Sequence, residues 1–144
     1  MERLMAIDYG TKRIGVAISD VLGITARGLE TIKNKEMDLT IACSRLIELL
    51  REYSISKLIV GLPKRTDGNE GESADKVRKF VDLLLASIDF ELDIEYKDER
   101  FTSTIANRLL NQSNRKGSME KRKVVDQIAA EIILQDYLDY RSKN

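Results

Sequence analysis

The chain has 144 residues, with 24 lysines and arginines balanced by 24 aspartates and glutamates, one cysteine and no histidine. Balanced charge leaves no long-range field to draw the whole molecule to nucleic acid or anionic lipid, so any polyanion site has to be local. The missing histidine excludes Ser-His-Asp, Cys-His and imidazole-metal chemistry together, and a single cysteine excludes an internal disulfide or a zinc cluster; carboxylates, hydroxyls, backbone, lysine and arginine remain. The length suits one domain, taken as residues 1–144. No run approaches the ~20 apolar residues of a membrane span, and Asp8 interrupts the N-terminal apolar run too early for a signal peptide, so a cytoplasmic protein without membrane partners is expected.

In chain order, Leu4 to Ile7 and Arg13 to Ser19 are short apolar segments joined through Gly10, which predicts a hairpin. A third extended stretch runs from Ile24 to Ile32. Leu39, Ala42, Leu46, Leu49, Leu50 and Tyr53 recur at helical spacing and predict a helix from Glu36 to Tyr53, in which Cys43 is a small core residue. KLIVGLP, Lys57 to Pro63, reads as a buried strand, and RTDGNEGES as a loop with an Asp-Gly turn. Ser73 to Ala86 is helical again. LDIEYK, Leu92 to Lys97, alternates apolar with charged residues, as an edge strand does. Thr102 or Ser103 can cap a helix carrying Ile105, Ala106, Leu109 and Leu110. After the polar stretch NQSNRKGSMEKRK, a last helix from Lys123 to Tyr140 is apolar at Val125, Ile128, Ala129, Ile132 and Ile133.

Three strands joined by short turns form an antiparallel meander, and the βα alternation that follows adds two parallel strands by right-handed crossovers. The expected fold is α/β: a five-stranded mixed sheet flanked by helices. In such sheets the ligand crevice lies beyond the carboxyl ends of the strands. Asp8 ends the first strand, Asp98 and Glu99 end the last in KDERFTS, and Asp126 opens the final helix, sharing a face with Ala130, Ile133 and Tyr137. Alanines at 129 and 130 let that turn approach the sheet closely. Three acids from separate segments suggest a carboxylate cluster neutralised by divalent cations, and oxygen donors alone favour Mg2+ or Mn2+. Each acid also has a purely structural reading. Asp8 could accept backbone hydrogen bonds in a turn, Asp98 or Glu99 could pair with Arg100, and Asp126 could complement a helix dipole.

AIDYGTKRIGVAISD, IVGLPKRTDG, KDERFTS and VVDQIAAEIILQDYL resemble, in order and from end to end of the chain, the signature blocks of the YqgF family, RuvX-like proteins of the ribonuclease H-like superfamily. The resemblance implies a mixed sheet whose second strand runs antiparallel to the rest. It implies hydrolysis of phosphodiester bonds with two metal ions, in 5′-end processing of pre-16S rRNA or, as an alternative, in Holliday junction resolution. It assigns catalytic roles to Asp8, Glu99 and Asp126, and metal ligation to Asp8, Asp98, Glu99 and Asp126, with Glu99 favoured in the acidic pair. Ala6 stands where the family often has glycine. Junction resolvases of the superfamily place an acid just after the fourth strand, where this chain has Gly61, Leu62 and Pro63, so RNA processing ranks first.

Basic segments supply the expected grip on nucleic acid. Asn111 to Lys123 carries Arg115, Lys116, Lys121, Arg122 and Lys123 against Glu120 alone, and Lys12, Arg13, Lys64, Arg65 and Arg100 flank the proposed cleft. Few aromatics leave little base stacking, which favours recognition of backbone and shape in a structured RNA, such as pre-rRNA in ribosomal particles, or in a DNA junction. DYGTKRIGVA also resembles the first phosphate loop of actin-like and sugar-kinase ATPases, so a nonenzymatic nucleotide- or nucleic-acid-binding module is a further alternative. Monomer and homodimer both remain open.

Overall fold

The computed structural model describes residues 3–62, 71–98 and 119–143. Its elements are β1 (Arg3–Tyr9), β2 (Arg13–Ser19), β3 (Ala26–Lys33), α1 (Thr40–Glu52), β4 (Ile55–Leu62), α2 (Glu72–Ser87), β5 (Asp93–Asp98) and α3 (Met119–Lys143). The strand order is β3-β2-β1-β4-β5. β2 is antiparallel to β1 and β3, whereas β1, β4 and β5 are parallel, which is the expected mixed sheet. The Asp67-Gly68 turn and the helix expected after Thr102 lie outside the described residues.

Period-two alternation sorts the strand residues onto two faces. Met5 and Ile7 of β1, Ile14, Val16 and Ile18 of β2, and Leu58, Val60 and Leu62 of β4 face α1 and α2, where they form one apolar cluster with Leu46, Leu50, Val77, Phe80 and Leu84. Cys43 belongs to that core, and burial pushes its thiol pKa up. On the opposite face Leu4, Ala6, Ala17 and Ile59 pack under Ala130, Ile133, Leu134, Tyr137 and Leu138 of α3. β4 is thus covered on both faces, which accounts for its unbroken apolar run.

Several boundaries differ from the sequence expectation for identifiable reasons. α1 starts at Thr40 rather than Glu36 because the Asp38 carboxylate accepts the Thr40 N–H, a local turn that competes with helix. β3 starts at Ala26 rather than Ile24 because Asp20 Oδ1 takes the Ile24 and Thr25 amides at 2.7 and 3.2 Å and closes a loop there. α3 begins at Met119, inside the stretch read as polar loop, where Met, Glu, Lys and Arg are good helix formers. Its buried stripe is also rotated. Ala129 and Ile133 are buried as expected, but Val125, Ile128 and Ile132 are only partly so, and Ala130, Leu134, Tyr137 and Leu138 complete the contact.

α3 also closes the β3 edge. Gln135 Oε1 accepts from Ala26 N at 2.9 Å and Glu131 Oε1 from Gly28 N at 3.0 Å, while Gln127 Nε2 donates to Thr31 Oγ1 at 3.0 Å. These polar residues recur every four positions, so they form one stripe along the helix beside its apolar face. Two β3 amides, those of Ala26 and Gly28, are thus satisfied within the chain rather than left for another strand. No helix among the described residues is long and apolar enough to cross a membrane.

Candidate active site

Asp8 is the penultimate residue of β1 and pairs across the ladder with Gly15 of β2. Residues directly opposite in an antiparallel pair share a face, so Asp8 lies on the α3 face, continuing the series Leu4, Ala6. Gly15 is where α3 comes down on the sheet. A Cβ built there would stand 1.9 Å from the Asp126 carbonyl oxygen and 3.0 Å from the Asp126 Cβ. No side chain fits in that space. The glycine therefore sets the depth of α3 and fixes Asp126 over the β2 residue that pairs with Asp8. A second glycine, Gly28, lies similarly under Gln127. The small residues expected at this contact were Ala129 and Ala130; Gly15 supplies the other half, and its only trace in the sequence is a glycine inside an otherwise β-branched strand.

Asp126 is half-buried and bonded to Arg13, whose Nε–H donates to Asp126 Oδ2 at 2.8 Å. Arg13 precedes Gly15 by two residues on the same face of β2. Burial raises the Asp126 pKa, and the Arg13 hydrogen bond and charge oppose that rise. Desolvation is the larger effect. Burial thus disfavours the ionised form of Asp126 even with its arginine partner.

The turn between Asp8 and Arg13 is held from the far end of β3. Asn34, buried at 7% exposure, donates its backbone N–H to Lys12 O and its Nδ2 to Gly10 O, both at 2.9 Å. Gly10 is itself confined, since a Cβ there would meet Arg13 O at 2.5 Å. Asn34 escaped notice in the sequence because it carries no motif of its own; it acts through backbone atoms remote in the chain.

The acidic pair at the end of β5 separates by register. Asp98 pairs with Leu62 and Lys97 with Gly61. Leu62 faces α1 and α2, so Asp98 lies on the face opposite to Asp8. Asp98 is exposed. Glu99, Arg100, Lys64, Arg65, Arg115 and Lys116, together with the side chain of Lys121, lie outside the described residues. Of the remaining expected cations, Lys12 and Arg122 are exposed, Lys123 is partly exposed, and Arg13 is engaged by Asp126. The Lys123 carbonyl accepts from Thr31 Oγ1 at 2.7 Å, which ties the start of α3 to β3.

Among the described residues no group of three acids, cysteines or histidines converges. Two of the expected ligands, Asp8 and Asp126, are brought to one face. Their donor set is all oxygen, which fits a hard divalent metal.

A family model described as RuvX, Holliday junction resolvase, matches residues 2–140. Among relatives, a protein of Fusobacterium nucleatum provisionally named pre-16S rRNA nuclease is 45% identical over 141 residues, covering 98% of this chain and 99% of its own. Proteins with the same name from Acetivibrio thermocellus and Streptococcus agalactiae are 45% and 42% identical, covering 98% and 95% of this chain and 98% and 97% of theirs. Among solved structures, Thermus thermophilus RuvC in complex with a Holliday junction substrate superposes with a TM-score of 0.56 at 15% identity, over 97% of this chain and 96% of that one. The fowlpox virus resolvase in its junction complex gives 0.51 at 14% identity, over 96% and 98%. At such identities these two likenesses concern the fold.

Proposed function

The chain belongs to the RuvX family, and from that membership we propose that it is a divalent-metal-dependent nuclease that hydrolyses phosphodiester bonds in the 5′-end processing of pre-16S rRNA in the cytoplasm. The observation that supports the reading is that Asp8 lies on the sheet face covered by α3 and that Asp126 packs over Gly15, the β2 residue paired with Asp8.

Asp8 and Asp126 would hold Mg2+ or Mn2+, with Glu99 as the third acid. Of the acidic pair, Asp98 lies on the face opposite to Asp8. Bound at such a site, two divalent ions supply an activated water and a counter-charge for the leaving oxygen. The chain's own work is positional. The β1 end presents Asp8, the glycine contact holds Asp126 at a fixed depth, and Asn34 clamps the turn that carries Lys12 and Arg13. Lys12, Lys64, Arg65 and Arg100, with Arg115 and Lys116 and with Lys121, Arg122 and Lys123 in the first turns of α3, would meet the phosphates of a structured RNA.

The family model's own description favours a second reading, cleavage of four-way DNA junctions. Purified protein incubated with Mg2+ or Mn2+ alongside a 5′-extended 16S rRNA precursor and a four-way junction separates the two by product mapping. Shortening of the precursor at its 5′ end, lost in Asp8→Asn, supports the RNA reading. Paired nicks in the junction alone transfer the activity to DNA, and inertness on both substrates with metal bound leaves a nonenzymatic binding module.

A further inference from the structure

Two arginines of this chain grip carboxylates in different ways. Arg45 clamps Glu30 with two nitrogens, Nε to Oε2 at 2.8 Å and Nη2 to Oε1 at 2.7 Å. That is the bidentate fork that makes an arginine-carboxylate pair strong and geometrically specific. Arg13 holds Asp126 by Nε alone, at 2.8 Å, with both side chains mostly buried at 23% and 18% exposure. The Arg13 contact is single-pointed, as is the exposed Arg51–Asp89 pair, but it lies on a mostly buried carboxylate, where a fixed clamp would compete with a metal.

The partners differ in freedom. The Asp126 backbone and Cβ cannot retreat without lifting α3 along a contact that already excludes a methyl group at Gly15. The backbone before Arg13 is held by the Asn34 bonds to Gly10 and Lys12. What can move is the long Arg13 side chain. A divalent ion on Asp126 would repel a guanidinium left beside it, and the planar, permanently charged guanidinium suits a phosphate as well as it suits a carboxylate.

Resting on the nuclease reading, we infer that Arg13 is a place-holding counter-ion: it neutralises Asp126 while no metal is bound, and swings to a substrate phosphate when a divalent cation takes Asp126. The metal thereby releases one cation for the nucleic acid, and binding of metal and of substrate are coupled through a single side chain.

The test compares wild type, Arg13→Gln and Arg13→Lys. In metal-free buffer Arg13→Gln should melt below wild type, yet its Mn2+ affinity by calorimetry should be tighter by roughly tenfold, because no like charge has to be displaced. Arg13→Lys, which keeps the charge, should bind Mn2+ as wild type does. A phosphorothioate-linked single-stranded RNA, resistant to cleavage, should bind Arg13→Gln more weakly than wild type in Mn2+ and equally in chelator. A strut that only orients Asp126 would instead weaken Mn2+ binding in Arg13→Gln. Mn2+ affinity unchanged or weakened in that variant, or an RNA deficit of the same size with and without metal, overturns the exchange. A wild type that binds no Mn2+ fails earlier, at the metal site itself.

Discussion

Gly15 is the position where one methyl group matters most. Its added Cβ would overlap the Asp126 backbone, so Gly15→Ala has to push α3 away from β2 at a cost of about 1–3 kcal/mol, the usual range for overpacking. Urea denaturation should show that loss, and the displaced Asp126 should bind Mn2+ less well than in wild type; unchanged stability would mean that the helix rides freely over the strand. The Asp126 side chain is a partly buried carboxylate paired with Arg13. Since desolvation outweighs Arg13 in setting its pKa, Asp126→Asn should raise the melting temperature in chelator while abolishing cleavage. A lower melting temperature in chelator would show that the ion pair with Arg13 outweighs the burial. These residues differ in how much the sequence revealed. Asp126 was visible as an acid sharing a face with Ala130, Ile133 and Tyr137. Gly15 and Asn34 were not, because their roles depend on contacts across long sequence separations.

At the scale of elements, α3 does two tasks with two adjoining stripes. Its apolar stripe covers β1 and β2, and its polar stripe of Gln127, Glu131 and Gln135 satisfies the β3 edge. Replacing Glu131 and Gln135 together by alanine strands the Ala26 and Gly28 amides, and should cost about 1–3 kcal/mol at roughly 0.5–1.5 per hydrogen bond. The opened edge should also raise self-association in sedimentation experiments; a variant of equal stability that stays unassociated would show that the edge needs no cover. The loop between β2 and β3 has its own pH signature. Hydrogen bonding, chiefly from the Ile24 amide, lowers the Asp20 pKa below its ordinary value of 3.8. A depressed carboxylate contributes stability above its unfolded pKa and loses it as pH falls through the folded one. Asp20→Ala should therefore be less stable than wild type at neutral pH, and the gap should close on acidification below the ordinary value. A urea midpoint difference that stays constant with pH would assign the effect to the loop backbone instead.

For the molecule as a whole, periodicity carried most of the architecture. The β2 limits, the double-sided burial of β4 and the edge position of β5 follow from hydrophobic pattern alone, because each pattern reflects how many faces of the strand are covered. Boundaries at Asp20 and Asp38 did not, because side chains captured amides that the pattern assigned to a strand or a helix. The stripe on α3 was displaced because apolar residues surround much of that helix, so the helical period alone does not select which of them face the sheet. Of the site, Asp8 was legible as an acid near a strand end and Asp126 as an acid beside the apolar face of the last helix; Asp126 does not open that helix as expected, because α3 already begins at Met119, and the register of β5 separates Asp98 from both.

The most direct measurement is the melting temperature of wild type and Asp8→Asn in saturating Mn2+ and in chelator. A carboxylate site shared by Asp8 and Asp126 stabilises the folded chain in proportion to the logarithm of metal concentration over its dissociation constant, about 2.7 kcal/mol at a hundredfold excess. Wild type should rise clearly with Mn2+, and Asp8→Asn should remain folded in chelator yet lose most of the gain. A wild type that melts at the same temperature in metal and in chelator would contradict the metal site, and Asp8 would then be a turn residue of the first hairpin.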